Sequence, residues 1–173
     1  EVEAFYQKRE YIRSHLKEAI RNGWIEAYLQ PQIRNLTGEI CSFEALARWI
    51  DPERGIISPG EFIPILEESR QIYLLDLEIV RQAAALLRKG LDKGREIPGI
   101  SVNLSRIDFQ ACHIFEEIEA IRKEYRLGPE HLYLEITESA LAARPAYMKA
   151  VLNRFRAAGY EIWLDDFGSG YSS

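Results

Sequence analysis

The sequence predicts an α/β fold of parallel strands flanked by helices, either an open doubly wound sheet or a barrel of the TIM kind. Three observations carry that prediction. After residue 90, short apolar strands alternate with amphipathic helices. Before it, two alternating stretches joined by a short turn form an expected antiparallel hairpin. Polar residues then stand near the carboxyl ends of several different strands, where a barrel places its chemistry: Glu44, Asn103, Glu135, Asp165 and Asp166. Only five strands are expected, whereas a full barrel takes about 250 residues. Either the sheet is open or the chain is cut.

Residues 3–22 show Phe5, Ile12, Leu16, Ala19 and Ile20 at helical spacing, and Asn22-Gly23 stops the helix. The chain opens without a cap or a methionine. That start fits a position after an upstream domain and fits a designed cut equally well. Trp24 to Gln30 alternates as a strand, Asn35 to Gly38 turns, and Glu39 to Trp49 is the second strand. On it Cys41, Phe43, Ala45, Ala47 and Trp49 share an apolar face, which predicts a buried Cys41 thiol. Ser42, Glu44, Leu46 and Arg48 share the other face, which is either open to solvent or the lining of a site.

Asp51 to Gly60 is expected to be a loop. Ser58, Pro59 and Glu61 then predict an N-cap, a first helical residue and a capping box for a helix running through Glu68. A longer helix is expected over 73–89, with Leu74, Leu77, Val80, Ala84 and Leu87 inward and Gly90 at its end. Strands are expected over 100–104, 132–137 and 160–167. Between them lie helical material over 109–125, broken near Cys112-His113, and a helix over 145–158 stopped by Gly159.

The chain of 173 residues is long enough for one sizeable core, with 47% apolar and 28% charged residues and a net charge of -5. No basic block marks a long nucleic-acid partner. No apolar run is long enough to span a bilayer and no signal peptide is visible, so membrane contact from this segment is not expected. Two cysteines give no disulfide framework, and the pattern fits the cytoplasm or the cytoplasmic portion of a membrane-anchored protein. There is no zinc spacing and no Walker or dinucleotide loop. His15, His113 and His131 align with none of the strand ends and are expected at the surface or in packing.

Four carboxylates and a carboxamide converging from strand ends would repel one another without a cation between them. All are hard oxygen ligands, which suits Mg²⁺, Mn²⁺ or Ca²⁺ rather than zinc or copper. A shared carboxylate such as Asp165 could bridge two metals that activate water and steady a phosphoryl oxygen. Each residue also has an ordinary reading. Asn103 could be a turn or cap residue, Glu135 a solvated strand charge, and Asp165-Asp166 the start of a loop.

Phe43-Glu44-Ala45-Leu46-Ala47-Arg48-Trp49 resembles the signature of the EAL domain, the bacterial family that hydrolyses cyclic di-GMP to linear pGpG. Further segments resemble it in order: Tyr28-Leu29-Gln30-Pro31, Ile56 to Pro64, Ser101 to Ser105, Leu134 to Ser139, and Leu164 to Ser173. The resemblance implies a TIM-like (β/α) barrel with an antiparallel first strand, here truncated after the fifth strand. It divides the chain into a linker helix over 1–15 and a partial EAL domain over 16–173. It implies metal ligation by Glu44, Asn103, Glu135 and Asp165, with Asp166 helping to hold a second Mg²⁺ or Mn²⁺, and catalysis through that set. Gln30, Leu46 and Arg48 match positions that contact the dinucleotide, with Arg48 suited to a phosphate. The stretch after Asp166 resembles a loop that orders the metal site and contributes to dimerisation.

Leu29 and Gln32 depart from commoner choices in the family, and Ser169 stands where Thr is usual. A Lys, a Glu and a Gln that the family supplies from three later strands are absent from residues 1–173. The expected partners are cyclic di-GMP, a second copy of the chain, and an upstream GGDEF or sensory domain in the parent protein. The parent is expected to be a phosphodiesterase and this fragment to be inactive. Its two sheet edges are expected to promote dimerisation or strand exchange. The alternatives are a cyclic di-GMP receptor or protein-interaction module that does not hydrolyse the dinucleotide, and a different metal-dependent barrel enzyme.

Overall fold

The computed structural model describes residues 1–142 and 145–165, with the backbone alone at Glu138, Ser139 and Asp165. The chain is a mixed α/β fold. Helix α1 (Val2–Arg21) leads into the hairpin of β1 (Ile25–Ile33) and β2 (Ile40–Asp51). The short strand β3 (Gly55–Ile57) and helices α2 (Pro59–Glu68) and α3 (Ile72–Asp92) follow. Then come β4 (Ile100–Asn103), α4 (Asp108–Ala111), α5 (Ile114–Glu124), β5 (Leu132–Thr137) and α6 (Glu138–Ala142). Helix α7 (Ala146–Ala157) and strand β6 (Glu161–Asp165) complete the described elements.

The sheet order is β1-β2-β4-β5-β6, with β3 also on β2. β1 and β3 are antiparallel to β2, and the other pairings are parallel. The hairpin and the strand–helix alternation expected from sequence are therefore both present. One sheet face is apolar because period-two alternation points Ala45, Trp49, Val102, Leu134 and Ile136 the same way. All are buried, together with Phe62, Leu75, Val80 and Ile118 from the helices. Trp49 packs on Phe62 with ring centroids 5.8 Å apart.

Several expectations are corrected. Asp51 to Gly60 is not wholly a loop. Asp51 Oδ1 accepts from the N–H groups of Glu53 and Arg54, turns the chain, and sends β3 back along β2. Ser58 does occupy the N-cap position of α2, but its hydroxyl makes no capping bond, and Glu61 pairs with Lys8 of α1 instead of closing a capping box. Gly90 does not end α3. The helix continues to Asp92, and Gly94 at φ +69 follows the cap. Gly90 serves packing, since a Cβ there would come within 2.7 Å of Ile97 Cδ1. Strand β1 runs on through Pro31, which an edge strand tolerates. Cys41 is exposed rather than buried, because it lies beside the open hairpin end, where its Sγ approaches the Gln32 carbonyl. The break at Cys112-His113 and the 132–137 strand stand as read.

Candidate active site on the inner face of the sheet

Paired residues on neighbouring strands project to the same side, so the register fixes which side chains can meet. Gln30 lies opposite Glu44, and Tyr28 opposite Leu46. Glu44 lies beside Ser101, and Asn103 beside Glu135. Gln30, Glu44, Leu46, Arg48, Asn103 and Glu135 therefore share the face away from the helices. Position 165 pairs with Thr137 and falls in the same row by backbone register. Asp166, and with it the stretch through Ser173, lies outside the described residues, as does the side chain of Asp165.

The polar row also climbs across the sheet. Glu44 pairs with Ser101, while Asn103 is two residues further along β4. Asn103 pairs with Glu135 at no offset, and Glu135 pairs with Trp163, two residues before Asp165. The row therefore rises four residues over three strand steps. Tilted strands need about one residue of rise per step to keep a row at one height. The stagger thus brings the row close to one level instead of scattering it.

Side-chain contacts agree. Asn103 Nδ2 donates to Glu44 Oε2 at 3.1 Å, across the β2–β4 junction. This leaves the Asn103 carbonyl oxygen as a further oxygen donor beside Glu135, which is 9% exposed. Below this level Ser42 and Ser101 are fully buried, and Tyr133 stacks on Trp163 at 4.5 Å. The upper part of the face opens into a cavity of about 660 Å³ lined by Asn103, Glu135, Thr137, Ser105, Glu67 and Asp76. An adjoining cavity of about 370 Å³ shares Asn103 and Asp76 and adds Leu46 and Arg48. A separate cavity of about 230 Å³ lies among Leu29, Phe43, Leu86 and Ile97, and holds none of this set.

The donor set fits a hard divalent cation in kind: two carboxylates and an amide oxygen on one face of three neighbouring strands. Among the described residues no three acidic, histidine or cysteine side chains converge as a ligand cluster. Glu44 and Glu135 supply two such groups, and further carboxylates would have to come from positions 165 and 166.

Sequence reasoning missed the wall of the cavity. Ser105 donates its hydroxyl to Glu67 Oε2 at 2.7 Å, and its N–H to Asp108 Oδ2 at 2.9 Å. Asp108 is fully buried, and its Oδ1 has no hydrogen-bond partner among the described residues. Burial, and then the Asp108 charge, push Asp76 well above the usual carboxylate range, and burial also pushes Asp108 up. One signal was available: Asp76 interrupts the apolar run Leu74-Leu75-Asp76-Leu77.

The family model for the EAL domain matches residues 13–173. The bifunctional diguanylate cyclase/cyclic di-GMP phosphodiesterase MucR of Pseudomonas aeruginosa is 31% identical over 167 residues, covering 96% of this chain and 24% of that protein. The cyclic di-GMP phosphodiesterase PdeR of Escherichia coli is 35% identical over 167 residues, with 94% and 24% covered. The solved PaMucR phosphodiesterase in complex with c-di-GMP superposes with a TM-score of 0.83 at 31% identity, covering 94% of this chain and 66% of that one. The chain thus spans about a quarter of the length of these curated relatives.

Proposed function

This chain belongs to the EAL domain family, and we propose on that premise that its parent domain is a metal-dependent phosphodiesterase that hydrolyses cyclic di-GMP to linear pGpG. The observation that carries the reading is the Glu44–Asn103–Glu135 row: a 3.1 Å hydrogen bond joins Asn103 to Glu44, Glu135 pairs beside Asn103, and Asn103 and Glu135 line the larger cavity. Glu44, Asn103, Glu135, Asp165 and Asp166 would hold Mg²⁺ or Mn²⁺, which would activate the attacking water and stabilise charge on the phosphoryl group. Arg48 would neutralise a phosphate of the dinucleotide through its forked N–H donors. Gln30 and Leu46, on the same face, would contact the rest of the ligand. The buried Ser42–Ser101 level and the Tyr133–Trp163 stack would form the floor of the site. Closure of the sheet into a barrel, a homodimer, an upstream GGDEF or sensory partner, and a linker role for residues 1–15 belong to the same proposal.

The test uses the full-length parent protein with Mg²⁺ or Mn²⁺ and cyclic di-GMP. Linear pGpG should form, EDTA should stop it, and Glu44→Gln should lower turnover by at least about 100-fold. Cyclic di-GMP binding with no linear product at any metal concentration would instead establish a non-hydrolysing receptor.

A further inference from the structure

Arg48 is an exposed side chain on the inner face, and among the described residues it forms no ion pair or side-chain hydrogen bond. Glu26 stands directly across from it on β1, yet the two carry no salt bridge. A long unpaired arginine would ordinarily sample many rotamers, and a ligand that used it would have to order it at an entropic cost. Here one contact restrains it. The guanidinium carbon lies 4.6 Å from the ring centroid of Tyr28. Tyr28 is on the same face, one diagonal step away, because its cross-strand partner is Leu46. The ring is 40% exposed, so the stack sits at the open surface of the face rather than in the core. A face-stacked guanidinium keeps its N–H edges free, because the ring interacts with its plane and leaves the donors unspent.

We propose that Tyr28 is a positioning residue that pre-orients Arg48 for an anionic oxygen pair, a phosphate of the cyclic dinucleotide. This inference rests on the function proposed above and adds a residue to it. Tyr28 acts through Arg48 and makes no contact with the reacting phosphorus. Its stack is present before the ligand arrives, so it favours ground state and transition state alike.

The test measures cyclic di-GMP affinity by calorimetry in EDTA, and KM and kcat with Mg²⁺, for the full-length parent protein. Tyr28→Leu should raise both Kd and KM about tenfold, within the roughly 2- to 30-fold span of cation–π contacts. It should leave kcat within about twofold, the signature of lost uniform binding. Tyr28→Phe, which retains the ring, should restore wild-type affinity. In an Arg48→Ala background, Tyr28→Leu should cause no further loss. An unchanged Kd for Tyr28→Leu overturns the proposal. So does an equal loss in the Arg48→Ala background, which would mean that the ring contacts the ligand directly. Failure of the wild-type protein to bind cyclic di-GMP would instead refute the functional reading and this inference with it. Matching melting curves for all variants separate these outcomes from misfolding.

Discussion

Asp51 shows how one carboxylate fastens a helix to a sheet. It is 3% exposed at the end of β2. Its oxygens accept from the Tyr11 hydroxyl of α1 at 2.8 and 2.9 Å, from Trp49 Nε1 at 3.2 Å, and from the Glu53 and Arg54 N–H groups. Burial alone would raise its pKa, but the Glu53 N–H, the Tyr11 hydroxyl and the other donors outweigh it and hold the carboxyl below its ordinary value. The same burial and bond push the Tyr11 phenol up to about 12. A depressed carboxylate contributes stability that is complete above the unfolded value of about 3.9 and is lost as pH falls through the folded one. Asp51→Asn should therefore cost about 1–3 kcal/mol at pH 7 by urea denaturation, and its deficit should shrink below about pH 4. An equal deficit at pH 3 and pH 7 would show that the carboxylate charge is not what matters. At this scale the inner-face residues were legible, since Glu44, Leu46 and Arg48 follow a period of two within an otherwise apolar strand. Asp51 was not, because Asp before Pro52 looks the same in sequence whether it starts a solvated loop or caps a buried corner.

Among the elements, β1 is the exposed edge of the sheet, and α3 covers part of it with one side chain. Gln82 Oε1 accepts from the Ala27 N–H at 2.7 Å, and Gln82 Nε2 donates to the Ile25 carbonyl at 2.9 Å. The amide thus mimics two rungs of a missing strand, at an edge that would otherwise invite pairing with another chain. Glu78, one turn earlier on α3, accepts the second amide hydrogen at 2.8 Å and fixes the orientation of the group. Gln82→Met, similar in volume and without these donors and acceptors, should lose about 1–3 kcal/mol of stability. Its Ala27 and Ile25 amides should be compared by hydrogen exchange, and faster exchange at Ala27 alone is the expected pattern, since Ile25 uses its carbonyl. Unchanged exchange at Ala27 would mean that the amide does not protect the edge. Most element types were legible from periodicity, and the hairpin, α3, β5 and the broken α4–α5 segment needed nothing more. What was not legible depended on partners distant in sequence. β3 exists because β2 extends far enough to pair with it, and Gly90 lies inside α3 where Ile97 packs against it, a role the sequence alone does not separate from a helix stop.

Across the whole molecule, the Asp76–Asp108 pair joins three parts of the cavity wall: helix α3, helix α4, and the Ser105 turn that follows Asn103. Ser105 extends the network to Glu67 on α2. Burial and neighbouring acidic groups disfavour ionisation of both carboxyls, so the folded protein holds protons that the unfolded chain releases near pH 4. Both groups are shifted upward, the folded state binds more protons than the unfolded state, and stability must fall as pH rises through the folded titration. This slope is opposite to that of Asp51, so stability contributed by the two sites should peak between their titrations, in the weakly acidic range. Asp76→Asn replaces the more strongly raised carboxyl with a neutral amide and should flatten the alkaline part of the slope. At pH 8 the variant should equal or exceed wild type by about 1–2 kcal/mol in urea denaturation, while at pH 4.5 it should show no gain. A constant difference at both pH values would mean that the Asp76 carboxyl is not raised in the folded protein. The sequence marks Asp76 as a carboxylate inside an apolar run but not its neighbour, since 32 positions separate it from Asp108 and only the packing of α3 beside β4 and α4 brings them together. The metal-type row, by contrast, was readable because Glu44, Asn103 and Glu135 each interrupt an otherwise apolar strand, and sheet pairing sets such positions side by side.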